Sequence, residues 1–263
     1  MIRRKLFILL LFLIFVLPLL VLILTSVSST WQFPDLVPDS WNARALRYAS
    51  DELPSILTSL ASSLAYALGT VLLAFILCVL PASVFARSRF RFKRILETLL
   101  LAPALVPSIT FSMGIHYVFI VTGLADTFVG IIMVLTIFSY PYMLRALTAG
   151  YIAYGSDYEI CAKNLGAGFL MRLWRVELPL LFPSIVSGGT VVFLLAFSEY
   201  FLVFLIGGGA VPSFTGYLFP FLNSSDRPLA SVLTLIFLVI PIVLFAFIDL
   251  TVSRIYRKKG MMD

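Results

Sequence analysis

The side chains that enzymes use for catalysis are few in this sequence and stand far apart along it. The one histidine, His116, belongs to no Ser-His-Asp arrangement, and no pair of catalytic carboxylates can be drawn. No Gly-x-x-x-x-Gly-Lys-Ser/Thr loop occurs, and the glycines at 207–209 have no lysine after them. Cys78 and Cys161 form neither a disulfide framework nor a metal-ligand spacing. The sequence therefore predicts no catalytic, cofactor or metal site in this chain.

An acidic side chain inside an apolar stretch is the first candidate for function. Glu199 lies about 15 residues into the apolar segment 183–206, and therefore about 22 Å along a helix rising 1.5 Å per residue. A charge in hydrocarbon costs about 2.5–3.5 kcal/mol or more, so it usually serves a pathway or a relay. We hypothesise that Glu199, with its neighbour Tyr200, lines the outer half of a solute pathway. A structural carboxylate bonded within a helix bundle is the alternative.

A polar segment at residues 149–182 carries helix signals of its own. Ser156 and Glu159 have the spacing of a capping box, in which the hydroxyl and the carboxylate satisfy backbone N–H groups at a helix start. Asp157 favours the positive end of the helix dipole. The pattern predicts a helix that begins at about Asp157.

Glycine and proline divide the rest of this segment. The first helix is expected to end at about Leu165, because Gly166 can take the left-handed conformation that closes a helix. A second helix is predicted at about 169–176, and Pro179 is expected to stop it before the next apolar stretch. The segment is therefore predicted to form a compact, folded loop.

The composition identifies the solvent in which these elements must fold. Of the 263 residues, 61% are hydrophobic and 12% are charged, whereas a soluble domain has roughly 45–50% and about 25%. Such a chain cannot cover its apolar side chains with its own polar surface. An all-α membrane protein with one compact domain over residues 1–263 is the expectation.

Six apolar stretches are long enough to cross a bilayer, which takes about 20 residues in a helix. A signal peptide is the rival interpretation of the first stretch, but its apolar run exceeds the about 7–15 residues of a signal-peptide core. The predicted spans are residues 6–25, 57–81, 97–120, 128–147, 183–206 and 231–252.

The basic residues indicate how the spans are oriented. They are concentrated before the first span and after the second, fourth and sixth, where loops on the cytoplasmic side are expected to carry them. Both termini and the loop at 149–182 are therefore predicted to be cytoplasmic. The formal charge of +6 is explained by this topology, so no nucleic-acid partner is inferred.

The polar loop resembles the EAA loop of the permease subunits of binding-protein-dependent ABC importers. The family pattern is Glu-Ala-Ala, three residues, Gly, nine residues, a hydrophobic residue, any residue and Leu-Pro. Here Ala162 and Gly166 match it, nine residues follow, and Val176 leads to Leu178 and Pro179. The sequence departs from the pattern at Ile160 and Cys161, which stand where the family has Glu and Ala; Glu159 supplies an acid one residue earlier.

The resemblance implies a fold, a site and partners. The fold would be the six-helix type I permease fold with a cytoplasmic coupling helix in the bacterial inner membrane. That helix would dock on an ATPase, two copies of which would hold ATP and Mg outside this chain. A second permease subunit, related or identical, and an external solute-binding protein are the other implied partners. The implied coupling residues are Ser156, Asp157, Glu159, Ala162, Leu165, Gly166, Ala167 and Pro179.

The solute is less strongly indicated than the family. The segment Tyr140 to Arg145 is similar to the polyamine, iron, thiamine and aminoethylphosphonate branch, which favours a small polar solute of that group. A permease for a sugar and a secondary transporter driven by an ion gradient are the alternatives. The latter would be expected to show charged or unwound pairs in matching halves of the chain.

Overall fold

The computed structural model describes residues 2–29, 31 and 35–258, and this part of the chain is helical. Within it no strand occurs beyond an isolated bridge between Ser28 and Trp41. A 3-10 turn at Ala102–Leu105 and a π turn at Leu173–Glu177 join helices. The α-helices are α1 Ile2–Ser26, α2 Arg44–Asp51, α3 Leu53–Arg87, α4 Lys93–Leu101, α5 Ser108–Val121, α6 Phe128–Tyr154, α7 Asp157–Asn164, α8 Phe169–Arg172, α9 Leu178–Ser198, α10 Phe201–Gly207, α11 Phe214–Leu222 and α12 Arg227–Lys258.

Most of the predicted spans correspond to long apolar helices. Among the described residues, four helical stretches are long and apolar enough to cross a bilayer, namely α3, α6, α8 continued into α9, and α12 to Ile248. A bent pair, α4 with its 3-10 turn and α5, makes a fifth if it is counted as one span. In α1 the apolar stretch is Leu10–Ser26, which is shorter than the other four. The prediction of six membrane spans therefore stays a prediction.

The third predicted span, 97–120, is not one helix. Lys93–Leu105 and Ser108–Val121 meet at an angle of 98°. Between them Val106 has an extended backbone, with φ −88° and ψ 131°, as expected for a residue that precedes a proline. Pro107, which has no N–H to donate, then stands at the start of α5.

The chain divides into two compact units, residues 1–60 with 214–263, and residues 61–213. The core of the second unit is formed by α3, α6 and α9, with Tyr151 and Leu181 fully buried. Small residues let α6 and α9 approach closely, as is usual where membrane helices pack. A Cβ added to Gly188 would lie 2.8 Å from the Cβ of Ala146, and one added to Gly150 would collide with the Ser184 side chain.

The first unit is built around α12. Helices α1, α2 and α11 pack against it, and the rings of Phe214 and Phe237 stack with an interplanar angle of 3°. An ion pair of 2.6 Å joins the Arg44 guanidinium to the Asp226 carboxylate just before α12 begins. These contacts tie the segment before α12 to α2.

The expected proline stop at Pro179 is wrong. The chain stays helical from Phe169 to Ser198, with the π turn between α8 and α9. In that turn the Leu178 N–H donates to the Leu173 carbonyl, five residues back. A proline inside a regular helix clashes with the carbonyl four residues earlier, and the wider π turn provides room at that point. Pro179 then occupies the first turn of α9, where its missing N–H is tolerated.

Candidate functional site

The loop helix α7 ends as the sequence predicts. Gly166 adopts φ +80°, and its N–H donates to the Lys163 carbonyl at 3.0 Å. The Ala167 N–H reaches back to the Ala162 carbonyl, also at 3.0 Å. These two bonds form a Schellman motif, which satisfies carbonyls that the end of a helix leaves without donors. The left-handed Gly166 is therefore confirmed, and Ala167 has a structural role beside it.

The start of α7 differs from the predicted capping box. The Ser156 side chain makes no hydrogen bond to the backbone at the helix start, although Ser156 stands at the expected position. The Glu159 carboxylate instead contacts two guanidinium groups, with 2.5 Å between its Oε2 and Arg87 and 3.4 Å between its Oε1 and Arg172. An ion pair in which both partners are charged attracts the carboxylate more strongly than a neutral backbone N–H does, so the carboxylate is directed away from the start of its own helix. Asp157 remains in the first turn, where the helix dipole favours it.

A second carboxylate completes this group of charges. Glu177, in the π turn, is 5% exposed, and its Oε1 lies 3.7 Å from the Arg87 guanidinium. Its Oε2 accepts a hydrogen bond of 3.1 Å from the Tyr151 hydroxyl. Burying a carboxylate is costly unless opposite charge and donors surround it, and both are present here. We call Arg87, Glu159, Arg172 and Glu177 the loop ion cluster.

Two tyrosines from the end of α6 surround the guanidinium of Arg87. Its Nη2 donates to the Tyr154 hydroxyl at 2.7 Å. Its carbon Cζ lies 4.8 Å from the ring centre of Tyr151 and 5.6 Å from that of Tyr154, within the range of cation–π attraction. Arg87 is the last residue of α3. Its side chain contacts α6, α7 and the π turn.

Sequence reasoning missed the role of Arg87, Glu177 and both tyrosines. Arg87 was one base in a run assigned to topology, and Glu177 was an unremarked position inside the resemblance. Arg87 and Glu159 are 72 positions apart in the chain, so no local spacing pairs them. The one signal in the sequence for Glu177 is that this acidic residue stands alone between the apolar residues Val176 and Leu178.

Helix α7 has one side facing its own chain and one side facing away. None of its residues is buried, and only Glu159 and Ala162, three residues apart and so on one side, are half-buried. Tyr158 and Leu165 are 58% and 83% exposed. Ala162 is half-buried on the side that faces its own chain, and its implied role in coupling stays a prediction. Tyr158 and Leu165, seven residues apart, are exposed on one side, whereas Ile160 is exposed on another side together with Lys163 and Asn164.

We expect Gly166→Ala to loosen the end of α7. A left-handed backbone costs an L-residue about 1–2 kcal/mol, so the local opening of α7 should become about 5–30 times more frequent. Amide hydrogen exchange over residues 157–165 would measure this change. Gly168→Ala is the matched control, because Gly168 has φ −65° and no atom of the described chain lies near its added Cβ. Equal exchange in the two variants would contradict the prediction.

The second candidate site surrounds Glu199, and its backbone differs from the prediction. The helix expected at 183–206 ends at Ser198; Glu199 is extended, with φ −73° and ψ 120°, and α10 begins at Phe201. The Glu199 Oε1 accepts a bond of 3.2 Å from the Leu202 N–H in the first turn of α10. The carboxylate thus lies at a break in the helix rather than on a continuous one.

A cavity of about 220 Å³ lies beside this break, within the second unit. Glu199 lines it together with Ser108, Ser139 and Tyr142, and with apolar side chains of the bent pair, α6 and α9. Tyr200 is not among the lining residues; its ring stacks on Phe204 at 5.6 Å between centres. The pairing of Glu199 and Tyr200 in one pathway wall therefore stays a prediction, and Glu199 is the one charged residue lining this cavity.

Among the described residues, no group of three or more His, Cys, Asp or Glu side chains is placed to hold a metal ion. The loop ion cluster pairs two bases with two acids. Its geometry suits a joint between helices, since every charged group is directed at another segment of the same chain.

Comparison with known families assigns most of the chain. Residues 79–258 match the family described as binding-protein-dependent transport system inner membrane component. The molybdenum transport system permease protein ModB of Mycobacterium bovis is 33% identical over 159 residues, which are 56% of this chain and 60% of that relative. The spermidine/putrescine transport system permease protein PotC of Haemophilus influenzae is 23% identical over 215 residues, 82% of each chain.

A solved structure shares the fold. A chain of a bacterial ABC transporter involved in the import of the acidic polysaccharide alginate superposes with a TM-score of 0.76, covering 94% of both chains at 18% identity. At this identity the likeness concerns the arrangement of helices. The bent pair, the loop helix and the broken helix near Glu199 all lie within the matched family region.

Proposed function

Because the chain belongs to the family of binding-protein-dependent transport system inner membrane components, we propose that it is the membrane-spanning subunit of an ATP-driven importer. It would form half of the pathway for a small polar solute that an external binding protein delivers, and a second permease subunit would form the other half. Hydrolysis of ATP with Mg would take place on two copies of a separate ATPase. The observation that carries the proposal is the family match over residues 79–258.

Helix α7 would be the part that docks on the ATPase. It is short, its end is locked by the Schellman motif, and one side exposes the apolar side chains of Tyr158 and Leu165. Apolar side chains at the centre of an interface contribute most of its binding energy. With α7 and both chain ends on the cytoplasmic side, the orientation agrees with the distribution of basic residues.

Replacing Leu165 by arginine is expected to release the ATPase. An unpaired charge buried in an interface costs several kcal/mol, so recovery of the ATPase with the tagged chain should fall about tenfold or more. Co-purification from detergent-solubilised membranes measures this, with the ATPase quantified against the permease chain. Leu36→Arg is the control, since Leu36 is 91% exposed and lies between α1 and α2, far from α7 in the chain.

Three outcomes of this experiment are informative. Retention by the unchanged chain and by Leu36→Arg, with loss in Leu165→Arg, supports the importer and the docking face together. Retention by all three chains contradicts the docking face. Absence of an ATPase from all three chains contradicts the importer and favours a transporter driven by an ion gradient.

For the solute, a small cation of the polyamine, iron or thiamine kind is favoured by the cavity at Glu199. The lining residues of this cavity include one carboxylate and no lysine, arginine or histidine. A cation would gain from the carboxylate, and the hydroxyls of Ser108, Ser139 and Tyr142 offer further hydrogen bonds. A solute in this cavity would also lie beside the first turn of α10.

An oxyanion is the second candidate, because ModB is a molybdenum transport system permease. An oxyanion in this cavity would face the Glu199 carboxylate, and like charges at short range disfavour binding. Uptake by the assembled importer, measured with labelled spermidine and with labelled molybdate, separates the two candidates.

A further inference from the structure

Helix α7 is linked to a distant part of its chain by charge. No residue of α7 is buried; it packs against α8 and the π turn, and Glu159 adds ion pairs with Arg87 and Arg172. Arg172 belongs to the neighbouring α8, whereas Arg87 belongs to α3, far away in the chain. The ion pair with Arg87 therefore links α7 to a helix that its packing contacts do not include.

Arg87 is the point where those helices meet. It ends α3, pairs with Glu159 of α7 at 2.5 Å and faces Glu177 at the start of α9 at 3.7 Å. It also donates to Tyr154 at the end of α6. A guanidinium has five donors in a rigid plane, so one side chain can bond several groups at fixed angles. The contacts of Arg87 thus join α7 to three membrane-spanning helices.

We propose that Arg87 is the positioning residue that transmits displacement of α7 to the spans, acting through Glu159. The proposal rests on the proposed function, in which the ATPase moves α7. Pulling α7 would separate the Glu159 carboxylate from a partly buried guanidinium, which is costly, so α3 and the start of α9 follow instead. Glu159 serves this internal joint and not the ATPase surface.

The distribution of exposure supports this assignment. The side chains of Arg87, Glu159 and Glu177 are 21%, 23% and 7% exposed. Water therefore screens the cluster less than it screens a surface pair. Arg89, two residues further on, is exposed, and no ion pair is described for it, so the basic run itself does not supply this link.

The test uses the assembled importer in lipid vesicles with its ATPase and binding protein. The variants are Arg87→Gln, Glu159→Gln, the double variant, and Arg89→Gln as control. We expect each single variant to keep the ATPase bound and its basal hydrolysis, and to lose about tenfold in solute transported per ATP hydrolysed. The double variant should lose no more than Arg87→Gln alone, because Glu159 acts through Arg87. Arg87→Lys should recover only part of the loss, since it lacks the planar fork.

Two results would overturn the proposal. One is transport per ATP in Arg87→Gln equal to that in Arg89→Gln; the other is a double variant whose loss is the product of the two single losses. If Arg87→Gln does not assemble, Glu159→Gln decides alone, because α7 has no buried residue whose packing the change could disturb. Failure of the proposed function itself would be distinct, since the unchanged chain would then retain no ATPase.

Discussion

Gly188→Leu is expected to destabilise the packing of the second unit. A Cβ at this position would stand 2.8 Å from the Cβ of Ala146 and 3.1 Å from the Sδ of Met143, and Met143 is fully buried. Overpacking of a filled core costs about 1–3 kcal/mol, and the longer leucine side chain places the effect at the upper end. Since 1 kcal/mol lowers the melting temperature of a chain of roughly this size by about 2–4 °C, we expect a fall of about 6–12 °C.

Thermal unfolding in detergent, followed by tryptophan fluorescence, measures this change. Gly114→Leu is the matched control, because an added Cβ at Gly114 of α5 meets no atom of the described chain within 4 Å. Both variants place the same side chain in an apolar helix. If Gly188→Leu melts at the same temperature as Gly114→Leu, the contact between α6 and α9 does not support the fold as described.

Glu199→Gln is expected to reduce uptake of a cationic solute by about 10- to 100-fold. Glutamine keeps an oxygen that accepts the Leu202 N–H, so the start of α10 stays capped while the charge is removed. A hydrogen bond to a charged group contributes about 1.5–3 kcal/mol, which corresponds to this range of uptake. Uptake of labelled spermidine into vesicles that contain the assembled importer measures the effect.

The control for the lost charge is Glu97→Gln, since Glu97 belongs to α4 and does not line the cavity. Hydrolysis by the ATPase, measured in the same vesicles, shows that the variants are assembled. Unchanged spermidine uptake in Glu199→Gln would contradict a role of this carboxylate in the pathway. A gain in molybdate uptake would favour the oxyanion, because the change removes a like charge from the cavity.

Much of the fold was accessible to sequence reasoning. Apolar stretches long enough for a bilayer predicted the helices α3, α6, α9 and α12, although their ends moved by several residues. The all-α fold of a type I ABC importer permease is confirmed by the structural match. Gly166 was predictable because its reason is local, a backbone conformation that glycine alone adopts freely.

The errors have a common cause in contacts that lie far apart in the chain. The spacing of Ser156 and Glu159 is that of a capping box, but the Glu159 carboxylate forms ion pairs with Arg87 and Arg172 instead. The stop expected at Pro179 followed from a rule for regular α-helices. The π turn before Pro179 changes the geometry on which that rule depends.

By itself the sequence determined that the chain folds in a membrane, roughly where it crosses, and which loop forms a short glycine-ended helix. Those properties depend on the free energy of transferring apolar side chains out of water and on steric limits of the backbone within a few residues. Only the tertiary structure decided that Arg87 joins α7 to the spans and that Glu199 lies at a helix break beside a cavity. Ion pairs between distant residues carry no periodic signal, so the packing of the helices had to bring them together first.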